Sequence, residues 1–69
     1  MVQSIEEVVA ELIKTARREK GITQEELAEL AHIDRAHMFR IESGKVSITL
    51  TTLESIAAAL GVRPKDLVP

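Results

Sequence analysis

Apolar residues recur along the first third of the chain with the three- and four-residue spacing of one helical face. The pattern predicts an amphipathic helix over residues 4–20. Its inward positions are Ile5, Val8, Val9, Leu12, Ile13 and Ala16. Ser4 followed three residues later by Glu7 has the spacing of a capping box. Gly21, directly after a basic run, is typical of a helix end.

A second, shorter apolar pattern follows. Thr23 and Glu26 repeat the capping-box spacing and predict the start of a short helix. The residues predicted to face inward from it are Leu27, Leu30 and Ala31. Residues 31–33 form a tight turn, and Asp34 is a good N-cap for a third helix. Met38 and Ile41 are the core pair of that helix, and Gly44 ends it.

The last third of the chain repeats the helical spacing. Thr49 or Thr51 caps a fourth helix, which Gly61 ends. The buried face of that helix is predicted to be Leu53, Ile56, Ala57 and Leu60. Pro64 suits the first turn of a short fifth helix that runs to Leu67. Without any strand pattern or repeat, the sequence predicts an all-α fold of five helices.

Composition narrows the class of protein. The 69 residues predict one small domain over residues 1–69, and the absence of cysteine removes disulfides and thiolate chemistry. No Ser-His-acid arrangement or phosphate loop is visible, so we expect neither an enzyme nor a cofactor. His32 and His37 do not have the spacing of a metal-binding pair on a helix. Lacking a signal peptide or a membrane span, the protein is expected to be cytoplasmic. Its body is too small for a deep pocket, so no small-molecule ligand is expected.

The two short helices predict a helix-turn-helix. The second of them can lie in the major groove of DNA, which is about 12 Å wide and exposes base edges. The residues of that helix predicted to read bases are Arg35, Ala36, His37, Phe39 and Arg40. Arg35, at the start, is placed to donate two hydrogen bonds to guanine, and Phe39 or Ala36 to pack against a thymine methyl group. The residues predicted to contact phosphates are Gln24, Lys45, Ser47 and Thr49.

Simpler interpretations stand beside this one. Arg35 and Arg40 also fit solvated charges on a helix surface. Phe39, as the only aromatic residue of the chain, fits a core position as well as a DNA contact. The net charge of −2 is unusual for a DNA-binding protein. Residues 32–47 carry three basic and two acidic side chains, or +1, so the remainder carries −3.

The residues resemble a known family. The order G-x-T-Q-E-x-L-A, I-D-R, I-E-x-G and T-L-x-x-I-A-x-A-L is similar to the Xre/Cro-type helix-turn-helix domain of phage repressors and bacterial regulators. The segment DRAHMFRIESG resembles restriction–modification controller proteins. The resemblance implies a lambda-repressor-like fold with the third helix as the reading helix and Gln24 on a phosphate. It also implies a partly buried ion pair between Arg17 and Glu42, which would otherwise be exposed charges.

Four positions depart from the family pattern. His32 stands where glycine is usual, which predicts a somewhat strained backbone, and Ile48 stands where proline is common. His37 replaces a tyrosine, and Phe39 replaces a small polar residue. The last two changes lie on the predicted reading surface. The DNA sequence that relatives bind is therefore not expected to carry over.

The functional hypothesis is a transcriptional regulator that binds double-stranded DNA as a homodimer on a palindrome. A single domain of this size leaves no room for a ligand-sensing module, so autoregulation through concentration is expected. The predicted dimer interface is Leu50, Leu60, Val62 and Leu67. The last segment, through Val68, also fits the edge of the core. The alternative is a protein-interaction module of the same fold, such as an antitoxin or an adaptor, which the acidic balance favours.

Overall fold

The structure is a computed structural model and describes residues 2–69. All regular secondary structure in these residues is helical. The elements are α1 (Ile5–Lys20), α2 (Gln24–Ala31), α3 (Arg35–Glu42), α4 (Leu50–Leu60) and a 3-10 helix (Pro64–Leu67). The predicted all-α class is confirmed, and the first four helices lie where the apolar pattern placed them.

The prediction of a fifth α-helix was wrong. The last element is a single 3-10 turn of four residues, in which the N–H of Asp66 donates to the carbonyl oxygen of Arg63 over 2.9 Å. Pro64 supplies no N–H, and Val68 already has an extended backbone (φ −127°). The segment is thus too short for the bonding pattern of an α-helix, although Leu67 still reaches the core.

Side-chain caps fix where each α-helix begins. Ser4 and Thr23 each form a reciprocal capping box with the glutamate three residues later. Asp34 accepts two backbone N–H groups at the start of α3. At α4 the structure decides between the two candidates: Thr49, rather than Thr51, is the N-cap and accepts the N–H of Thr52.

One aliphatic core joins the five elements. Its fully buried large side chains are Ile13, Leu27, Met38, Ile41, Ile56 and Leu67. α1 packs against α3, α4 and the 3-10 helix, while α2 packs against α3 and α4. This arrangement holds α2 and α3 against the same core and leaves the outer side of α3 free.

Two residues predicted to face inward, Ile5 and Leu30, are each 54% exposed. On α2, the buried Leu27, Ala31 and Ala28 span an arc of about 100° around the helix, and Leu30 lies about 60° beyond its edge. Ile5 is the first residue of α1 and extends past the core. Periodicity therefore identified the correct faces and overestimated their width.

His32 has a left-handed backbone (φ 58°) where it ends α2, and it is the one non-glycine residue with positive φ among residues 2–69. We expect His32→Gly to raise the free energy of unfolding by about 0.5–1 kcal/mol, because the relieved strain exceeds the added entropy of the unfolded chain. Urea denaturation of the variant measures this. His32→Ala is the control, since it keeps the strain; an equal gain from both variants would contradict the explanation.

Candidate nucleic-acid interface

The outward side of α3 presents the predicted base-reading residues. Met38 and Ile41 turn the opposite side into the core. Asp34 Oδ2 accepts the N–H of Ala36 over 3.0 Å and that of His37 over 3.2 Å, which fixes the first turn. Four of the five predicted base-reading residues are exposed, namely Arg35, Ala36, Phe39 and Arg40. The fifth, His37, is half-buried.

Phe39 belongs to this surface and not to the core. Its side chain is 64% exposed, because Met38 and Ile41 occupy the buried side of α3. Together with Ala36 and Arg35 it lines a shallow cleft between α3 and the first turn of α2. The choice that the sequence left open is therefore resolved in favour of the surface. An apolar ring in this position is able to pack against a methyl group or a base edge.

The carboxylate of Glu42 connects three helices beneath the surface. Arg17 of α1 donates to it twice, from Nε to Oε2 over 2.8 Å and from Nη2 to Oε1 over 3.1 Å. A third bond, 3.2 Å long, comes from Nε2 of Gln24 on α2. Arg17 Nη1 also donates to the carbonyl oxygen of Ile22 over 3.0 Å. The structure thus brings Arg17 and Glu42 together as a nearly buried pair.

These bonds change what Gln24 offers to a ligand. One amide proton of its side chain is directed at Glu42, so the side chain is anchored inward instead of extended into solvent. The N–H of Glu26 is bonded to the Thr23 cap, which leaves the N–H groups of Gln24 and Glu25 as the backbone donors at this end of α2. The prediction that Gln24 contacts a phosphate remains a prediction, now with an orientation for its side chain.

Arg35 is paired with an acidic residue that the sequence did not single out. Its Nη2 lies 2.7 Å from Oε2 of Glu25 on α2, and both side chains are largely exposed (76% and 57%). The two residues are ten positions apart on different helices, so no helical spacing indicates the pair. Only the crossing of α2 and α3 reveals it.

The predicted phosphate contacts after α3 are partly engaged elsewhere. Ser47 Oγ donates to Glu6 Oε2 over 3.2 Å, which places a carboxylate beside it. Thr49 Oγ1 donates to Thr52 Oγ1 over 2.9 Å while it caps α4. Lys45 is exposed and forms no ion pair within residues 2–69. Of these three loop residues, Lys45 is the one whose polar group is free for a phosphate.

Two of the four residues predicted for a dimer interface lie inside the protein. Leu60 and Leu67 are buried in the core, so neither has surface to offer a partner. Val62 is half-buried, and Leu50 is 85% exposed. Leu50 instead borders an apolar groove whose other lining residues include Ile5, Ile48, Leu53 and Val68.

Within residues 2–69, no cluster of three or more histidine, aspartate or glutamate side chains has the arrangement of a metal site. None of the helices there has the length and apolar character needed to cross a membrane.

Known proteins share both the sequence pattern and the fold. The model of a helix-turn-helix family, HTH_3, matches residues 13–67. The immunity repressor protein of Bacillus phage phi105 is 38% identical over 60 residues, which cover 87% of this chain and 42% of the repressor. The chain spans 42% of that repressor and 61% of a hypothetical transcription factor from Neisseria meningitidis, so the likeness concerns only a part of each.

Two crystal structures match nearly the whole chain. The structure of the hypothetical transcription factor NHTF from Neisseria aligns with a TM-score of 0.91 at 35% identity, covering 96% of this chain and 76% of that one. The restriction-modification controller protein C.AhdI from Aeromonas hydrophila aligns with a TM-score of 0.87 at 29% identity, covering 90% of this chain and 94% of that one. This chain therefore aligns with most of the length of that controller protein chain.

Proposed function

Because the chain belongs to the HTH_3 family of helix-turn-helix proteins, we propose that it is a transcriptional regulator that binds double-stranded DNA with sequence specificity. The observation that carries the proposal is the outer face of α3. Arg35 and Arg40 flank the apolar Ala36 and Phe39 there, and all four are exposed. This set combines donors for guanine with apolar groups for thymine.

The rigid support of α3 favours sequence-specific contacts with base edges over non-specific DNA binding. The helix is held by two core side chains, by the Asp34 cap and by the Glu42 hydrogen bonds at its other end. A reading helix fixed at both ends presents its side chains in one register to base edges. The phosphates are met by the first turn of α2, by Lys45 and by Arg40.

Charge sets the strength of binding. The net charge of −2 and the carboxylates of Glu25 and Glu6 near the proposed contacts oppose the phosphate backbone. Counterion release by a few basic side chains supplies little affinity for DNA of arbitrary sequence. The protein therefore depends on base contacts and on a second copy for useful affinity. Because it neutralises few phosphates, the slope of log affinity against log salt is expected to be shallow.

We propose a homodimer on a palindrome, with half-sites about one helical turn, or 34 Å, apart. The interface lies around the apolar groove that the exposed Leu50 borders. Exposed apolar surface of this kind is usual where a protein meets a partner. A regulator made of this domain responds to its own concentration through dimerisation, which is the behaviour of an autoregulator.

The test is selection of a random duplex pool by the purified protein, followed by titration of the selected duplex. We expect a palindromic consensus, and Arg35→Ala is expected to lose about 1–3 kcal/mol, or about 5- to 150-fold, of discrimination at one base pair of each half-site. Fluorescence anisotropy against all single-base variants of the duplex measures it. Arg63→Ala removes the same charge before the 3-10 helix and is expected to keep the preference.

Two results would contradict the proposal. The absence of any enriched sequence at low salt, from protein shown to be folded, would favour the protein-interaction module instead. An enriched sequence without two-fold symmetry would retain the regulator and remove the homodimer.

A further inference from the structure

The pairing of Glu25 with Arg35 places a negative charge on the surface that meets DNA. Both residues line the cleft between α2 and α3, next to Ala36 and Phe39. Their side chains are largely exposed, so the ion pair contributes little to the stability of the fold. A carboxylate here also repels phosphates, which makes its position a cost to general DNA affinity. Neither the stability of the fold nor the affinity for DNA of arbitrary sequence therefore explains the presence of this ion pair.

The neighbouring glutamates show that Glu25 is distinct. Glu26 Oε1 accepts the N–H of Thr23 and completes the cap of α2. Glu29 is exposed further along α2 and forms no ion pair within the part of the chain that the structure describes. A favourable charge at the start of α2 is already provided by Glu26. Of the three carboxylates, the one on Glu25 contacts the proposed guanine-reading side chain.

The geometry of the guanidinium allows two partners at once. Arginine has five N–H donors in one plane, and the contact with Glu25 uses Nη2. Nε, Nη1 and the second proton of Nη2 remain, which is enough for two parallel bonds to guanine O6 and N7. Arg35 is therefore able to read a guanine while Glu25 still holds it. Contact with a phosphate instead pulls the guanidinium away and leaves the carboxylate unpaired beside the DNA.

We propose that Glu25 is a specificity-determining residue that holds Arg35 ready for guanine and makes its use as a phosphate contact unfavourable. The proposal rests on the function proposed above. Glu25 acts through Arg35 and touches no base itself. It lowers affinity for arbitrary DNA more than affinity for the correct site, so it increases the ratio between the two.

The experiment compares Glu25→Gln with Glu29→Gln, which removes the same charge from the same helix. The probes are the selected duplex, its variants at the guanine that Arg35 reads, and a duplex of unrelated sequence. For Glu25→Gln we expect tighter binding of the unrelated duplex and about tenfold less discrimination at that guanine. The slope of log affinity against log salt is expected to steepen on the unrelated duplex by about 0.9 per protomer, or about 1.8 per bound dimer, as each Arg35 gains one phosphate. Glu29→Gln is expected to change neither discrimination nor slope.

The Arg35→Ala background tests whether Glu25 acts through Arg35. There, Glu25→Gln is expected to leave discrimination at the guanine unchanged. Equal behaviour of Glu25→Gln and Glu29→Gln, with a wild-type protein that discriminates, would overturn the role of Glu25 and keep the proposed function. A persistent effect in the Arg35→Ala background would also overturn it. A folded wild-type protein without sequence preference would overturn both.

Discussion

Glu42→Ala is expected to lower the free energy of unfolding by about 3–5 kcal/mol, the usual result of removing one partner from a buried ion pair. The side chain of Glu42 is 1% exposed and that of Arg17 is 14% exposed. The variant leaves the guanidinium unpaired where little water reaches it. A domain of 69 residues typically has only about 3–10 kcal/mol of stability. Urea denaturation followed by circular dichroism measures the loss.

The double variant Arg17→Met/Glu42→Leu is the control. It replaces both ions with apolar groups and is expected to recover most of the lost stability, because no charge remains buried. Gln24 then loses its partner and its side chain becomes free to move. A loss below about 1 kcal/mol for Glu42→Ala alone would show that the pair behaves as a solvated one.

Gly44→Ala is expected to cost about 2–4 kcal/mol of unfolding free energy. The backbone of Gly44 is left-handed (φ 75°), which costs a residue with a Cβ about 1–2 kcal/mol. A Cβ atom there would also lie 3.1 Å from Cα of Glu7 on α1. Since that neighbour is backbone, α1 has to move away from the end of α3, at a further cost of about 1–2 kcal/mol. Thermal and urea denaturation both report the loss.

Gly61→Ala separates the two causes. Gly61 has nearly the same backbone (φ 72°), and a Cβ there meets no heavy atom within 4 Å. Gly61→Ala is therefore expected to lose only the free energy of placing a Cβ on a left-handed backbone, about 1–2 kcal/mol. The difference between the variants measures the close approach of α1 to the chain after α3. Equal losses of unfolding free energy in the two variants would mean that α1 moves away from the added Cβ without an energetic cost.

Local signals made most of the fold predictable. The Ser4 and Thr23 capping boxes involve residues three positions apart, so the starts of α1 and α2 can be read directly from the sequence. Apolar spacing identified the inward side of each α-helix, with errors at its edges such as Leu30. The prediction of an α-helix for the fifth element failed because a proline at the first position suits an α-helix and a 3-10 helix equally well.

The site was predictable only in part, because its contacts cross between helices. Exposure of Phe39 follows from the inward direction of its neighbours, yet the sequence also allowed a core position. The Glu25–Arg35 contact and the burial of Leu60 and Leu67 depend on how separate helices pack. No spacing along one helix contains that information. The proposed dimer interface is therefore placed around the exposed Leu50.

An exposed Phe39 gives the protein an unusual optical property. The chain contains no tryptophan or tyrosine, and Phe39 is its one aromatic side chain, so its intrinsic fluorescence is almost nil. The aliphatic core needs no ring, and the single ring stands at the centre of the proposed reading surface. A tryptophan introduced at that position would be the sole emitter in the molecule. Its emission would follow events at the α3 surface without background from the rest of the fold.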